Sequence, residues 1–89
     1  MAQLPSPKTV ERGDEFWHVR FREPDEFSEI RTPDWAAEAA SSVVAGSEVR
    51  TGHRAGSDDW VVQSVLVPVS VGKATAESKA KAILEKLEG

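Results

Sequence analysis

Residues 16–22 read FWHVRFR, an alternation that puts Trp17, Val19 and Phe21 on one face of a strand and Phe16, His18, Arg20 and Arg22 on the other. The first set predicts a core-facing side, the second an aromatic and basic one. Residues 48–54 and 60–68 read as two further strands, joined as a hairpin by RAGSDD, whose Gly, Ser and Asp suit a turn. In residues 60–68, strict alternation groups Trp60, Val62, Ser64 and Leu66 on one side and Val61, Gln63, Val65 and Val67 on the other. Both sides are largely apolar, which predicts a central strand or one whose second face is covered by another molecule.

Between these strands the period changes. Glu23-Pro24-Asp25 breaks the first alternation, because proline fixes its own φ and holds its predecessor extended. FSEIRT, residues 27–32, spaces its apolar positions three apart and reads as a short irregular strand or a half-turn of helix, anchored by Phe27 and Ile30. Thr32-Pro33-Asp34 then predicts a helix start, with threonine as the cap, proline at the first helical position and aspartate at the positive end of the dipole. The helix is expected to reach about residue 45, with Trp35, Ala36, Ala39, Ala40, Val43 and Val44 as its apolar stripe and Gly46 as a left-handed cap. A second helix is expected over residues 76–88, capped by Thr75, with Ala76, Ala80, Ile83, Leu84 and Leu87 facing inward and a Glu77–Lys81 pair outside. Large aromatics dominate the core energetics of so small a domain, so Trp17, Trp35 and Trp60 are all assigned to the core.

These elements give an α+β two-layer sandwich in β-α-β-β-α order, with both helices on one face of a three- to four-stranded, mostly antiparallel sheet. Residues 1–13, with Pro5, Pro7 and Gly13, read as a flexible arm, and residues 14–89 as one domain. A chain of 89 residues buries only about 60–65% of its unfolded surface, so its stability margin is thin and self-association is one way to widen it.

Eleven basic and fifteen acidic residues give a net charge of −4, which disfavours nucleic acid overall but leaves room for a local basic patch. Cysteine is absent, which excludes disulfides, thiolate metal sites and a cysteine nucleophile, and fits a cytoplasmic protein. No signal-peptide pattern and no membrane-spanning apolar run are found in the sequence.

The search for chemistry is mostly negative. The six glycines form neither a dinucleotide fingerprint nor a phosphate loop. His53 with Asp58 and Asp59 has the residue types of a metal or acid–base cluster, but aspartates favour turns for their own backbone hydrogen bonds, so the three read as a polar turn. Adjacent Asp25 and Glu26 define no acid–base geometry, and Ser57, Ser64 and Ser70 have no evident histidine partner. Neither an enzyme nor a cofactor is expected.

Two binding surfaces remain. Phe16, His18, Arg20 and Arg22, with Arg50, His53 and Arg54 of the hairpin, combine aromatic and cationic groups as nucleic-acid-binding sheets do. The apolar second face of the last strand, with Val61, Gln63, Val65 and Val67, points instead to homodimerisation, sheet to sheet or edge to edge. A self-associating, non-enzymatic interaction module is the leading expectation, and a binder of nucleic acid or a phosphorylated ligand the alternative.

Over residues 16–70 the chain also resembles a small module of uncharacterised archaeal proteins and of reading frames near phage capsid genes. The resemblance lies in Arg20 and Arg22, Pro24 and Phe27, Arg31-Thr32, Gly52, Gln63-Ser64 and Pro68. Val69 stands where a lysine often follows the proline, and residues 35–45 form an inserted helix. The resemblance implies a compact shared fold and no particular reaction. It makes residues 21–35 a folded corner: Pro24 turns the chain, Phe27 and Ile30 pin it, and Thr32-Pro33 opens the helix.

Overall fold

Five strands hydrogen-bond in the order β1-β2-β5-β4-β3, all antiparallel: β1 Thr9–Arg12, β2 Phe16–Arg20, β3 Glu29–Arg31, β4 Glu48–His53 and β5 Trp60–Pro68. Helix α1, Asp34–Val43, follows β3, and α2, Lys73–Glu88, follows β5. The computed structural model describes residues 6–56 and 60–88. The protein is an α+β fold, as expected, but with one to two more strands than expected.

One of these is β1, whose TVER lies in the expected arm. Its four residues pair with β2 in unbroken register, Thr9 with Arg20 through Arg12 with Trp17. The other is β3, which settles FSEIRT as a strand from residue 29 onward. Pro24–Glu26 before it forms a single 3-10 turn, closed by Glu26 N–H donating to the Glu23 carbonyl at 3.2 Å and capped where Glu23 N–H donates to Glu26 Oε2 at 3.0 Å.

Both helices start differently from expectation. Pro33, not Thr32, occupies the N-cap of α1, and no side chain caps that end. Helix α2 begins three residues before Ala76, just after Gly72, so Thr75 lies inside it. Gly46 does adopt the left-handed conformation, with φ of 84°, in the turn that leads into β4.

The core lies between one face of the sheet and the two helices. Val19 and Phe21, Val49, and Val62, Val65 and Val67 meet Ala36 and Ala40 of α1 and Ala76, Ala80, Ile83 and Leu84 of α2. Alanines on both helices keep their axes close to the sheet and to each other.

The face assignment of β5 needs correction. Arg50 pairs with Ser64 and Thr51 with Val62, so Gln63 is an extra residue on β5, a β-bulge. The bulge shifts the alternation by one position, and Val62 joins Val65 and Val67 under the helices. Val65 and Val67, expected near a contact with another molecule, are therefore fully buried core. Their former face-mate Gln63 is buried as well, at the bulge.

Candidate functional site

The face of the sheet away from the helices carries Phe16, His18 and Arg20 of β2, Ser64 and Leu66 of β5, and Glu48 and Arg50 of β4. The register sets His18, Leu66 and Glu48 in one row and Arg20, Ser64 and Arg50 in the next. Leu66 and Ser64 are buried on this face, on the middle strand between β2 and β4. This face is mixed in charge: Arg20 Nη1 meets Glu11 Oε1 at 2.6 Å, and Glu48 lies two residues from Arg50 on the same face of β4. Burial first, then the cations Arg50 and Arg20, hold His18 below its ordinary pKa, with Glu11 partly opposing them.

The structure brings together only part of the expected arginine face. Arg22 has left it. The N–H groups of both Phe21 and Arg22 donate to the carbonyl of Gln63, at 3.0 and 3.2 Å, so the chain turns at the bulge and carries Arg22 to the helix side. There its guanidinium donates to both carboxylate oxygens of Glu88 at 3.0 Å and to the carbonyl of Val62 at 2.7 Å, while Val62 N–H donates to Glu88 Oε2 at 3.0 Å. This ties the last turn of α2 to the sheet. Gln63 and Ser64 complete the knot, with Gln63 Nε2 donating to the carbonyl of Arg22 at 2.9 Å and Ser64 Oγ to Gln63 Oε1 at 3.0 Å. The side-chain polar groups of that buried pair thus all serve internal bonds.

Arg54 is likewise engaged, donating to Glu26 Oε1 at 3.1 Å and standing 5.5 Å from the centre of the Phe27 ring. Phe27 lies flat over Gly52, where a Cβ would overlap the ring, so Gly52 is what lets the corner before β3 close onto the sheet. His53 stacks against Trp60 with centroids 5.0 Å apart. Asp58, Asp59 and Ser57 lie outside the described residues. Among the described residues no three His, Asp or Glu side chains are grouped to hold a metal ion, and no helix is long and apolar enough to cross a membrane. Val61 is half-buried, away from the core cluster.

A second surface was not anticipated as one. The exposed large hydrophobics among the described residues are Ile30, 39% exposed, and Trp35, 56% exposed. Ile30 is the middle residue of the edge strand β3, and Trp35 is the second residue of the helix that follows. Trp35 therefore departs from its core assignment, because the buried side of α1 runs through Ala36 and Ala40, and a residue next to Ala36 points roughly a quarter-turn away. With Arg31, Pro33, Thr51 and Trp60 it lines a cleft of about 160 Å³. Arg31 lies 5.4 Å from the centre of the Trp60 ring and donates from Nε to Glu29 Oε2 at 2.6 Å. Exposed apolar side chains thus stand beside tryptophan and arginine here. The sequence signal for this surface was the Ile-Arg-Thr-Pro-Asp-Trp run, in which strand edge and helix start are two residues apart.

Comparison with protein-family models, with curated proteins and with solved structures found no match to this chain.

Proposed function

We propose that the protein is a small, non-enzymatic interaction module that associates with a second copy of itself through its sheet. The observation that carries this reading is the exposure of Ile30 and Trp35, the large hydrophobic side chains left in solvent among the described residues, on and just after β3, which among the described residues is an edge strand of the sheet. A reducing cytoplasm suits a chain without cysteine. Light scattering behind size exclusion, at low and moderate salt, tests the reading: a dimer that persists in salt is expected, because apolar area and backbone pairing hold it. A monomer at every concentration and salt would end it.

A second reading has its own observation. Arg50 and Arg20 share the open face with His18 and Phe16, and with Arg20 already paired to Glu11 a basic patch there would rest mainly on Arg50. Binding of nucleic acid or a phosphorylated ligand there would fall steeply with salt and weaken on Arg50→Ala. Arg22 and Arg54, held by Glu88 and Glu26, add little to that face.

A further inference from the structure

We infer that the contact between copies is made edge to edge by β3, two strands running antiparallel about a two-fold axis at Ile30. This rests on the self-association reading and specifies its register. Three features of β3 converge on it. The Arg31 carbonyl is turned toward β4, where Thr51 Oγ1 donates to it at 3.2 Å, so alternation along the strand points the N–H and C=O of Ile30 away from the sheet. Those two groups are the pair that a two-fold axis at Ile30 would join to the same groups of a second copy.

The second feature is charge. The strand reads Glu-Ile-Arg, so an axis at Ile30 sets Glu29 against the partner's Arg31 and Arg31 against the partner's Glu29. Residues opposite one another beside a hydrogen-bonded pair approach most closely, which suits an ion pair. Moving the axis to Glu29 or to Arg31, the neighbouring registers that keep faces aligned, sets like charges against each other. Charge thus selects one register of three. The other edge offers no such match: an axis at Val10 sets Arg12 against the partner's Lys8, and axes at Glu11 or Arg12 set each of these against itself.

Apolar surface is the third feature. Ile30 meets the partner's Ile30 on the open face, while Arg31 of the junction shares a cleft on the other face with exposed Trp35. The interface is isologous and closes after two copies, since each β3 edge is used up by one partner.

Sedimentation equilibrium on wild type, on Glu29→Arg, on Arg31→Glu and on an equimolar mixture of the two variants tests the register. Wild type is expected to dimerise. Each variant alone faces like charges twice across the axis and is expected to dimerise about tenfold more weakly or worse. Their mixture restores two opposite-charge pairs, and a one-to-one heterodimer of wild-type affinity is expected. Loss of the intrachain Glu29–Arg31 contact occurs in both variants and cannot produce that rescue. A monomeric wild type would overturn self-association itself. Variants that dimerise as well as wild type would leave self-association standing and overturn the β3 contact, as would a mixture that stays monomeric while circular dichroism shows both variants folded.

Discussion

β1 and β3 close the same sheet at opposite ends, yet they are finished differently. On the β1 side the edge strand carries Glu11 against Arg20 of β2, and among the described residues no large hydrophobic is exposed there. That half of the molecule lies under the sixteen residues of α2, whose last turn is bound to the sheet through Glu88 and Arg22. On the β3 side the covering helix has ten residues and buries only Ala36 and Ala40, and the sheet reaches beyond it. Trp60, Thr51 and Arg31 are then left beside a cleft, with Ile30 and Trp35 in solvent. One flank spends its apolar surface on its own core; the other holds some of it outside.

If that contrast is right, substitutions on the two flanks should fail in different assays. The largest effect belongs to the α2 flank. Ile83 is fully buried between helix and sheet, and Ile83→Ala should cost about 2–5 kcal/mol of unfolding free energy, read by urea denaturation. A cost below about 1 kcal/mol would mean that α2 is not the anchor described.

Next in size is the Glu88 clamp. Glu88→Ala leaves the Val62 N–H without its acceptor and the Arg22 guanidinium with only the Val62 carbonyl, in a partly buried place, an expected loss of about 1–3 kcal/mol. Arg22→Ala should cost a similar amount, and the double variant should cost less than the sum, as for partners in one network. Strict additivity would show that the two side chains act independently.

Ile30→Lys on the other flank should reverse the pattern. Ile30 is exposed on an edge strand, so its replacement should move stability by no more than about 0.5 kcal/mol. Association should weaken by about tenfold or more, since two lysines would meet at the axis. A large loss of stability with unchanged association would assign Ile30 to the fold and not to a contact.

The two flanks also differed in how far they could be foreseen. The hairpin strands, both helices and the packing of Val19 and Phe21 follow from local period, which sequence displays directly. β1 does not: TVER has one strongly apolar residue, and its strand exists because β2 offers an edge to pair with. The bulge at Gln63 is hidden for a different reason. Either parity of β5 is apolar enough to face a core, so a one-residue shift left no mark in the pattern, and it displaced Val65 and Val67 from the expected interface. Arg22 and Glu88 meet across 66 positions of sequence, with no local signal to join them. Arg20, His18 and Arg50 were foreseen on the open face, because they lie on strands whose alternation is unbroken there.

The smallest expected effect lies on the open face, where His18 couples the closed flank to pH. The groups facing it are Arg50 and Arg20, which disfavour its protonation, Glu11, which favours it, and Glu48 across Leu66 in the same row. Its folded pKa lies below the ordinary 6.5, so the unfolded chain takes up a proton there more readily than the folded one. By linkage, stability should be fully present above the ordinary value and decline as pH falls from 6.5 through the folded pKa. Melting temperature followed between about pH 7.5 and 5 should therefore fall for the wild type. In His18→Gln, which keeps a polar side chain but cannot titrate, the fall should be shallower. An equal slope in the two proteins would place the proton uptake elsewhere, and Glu11→Gln then gives the finer check: without its carboxylate the arginines act on His18 unopposed, and the wild-type slope should steepen if His18 is its source.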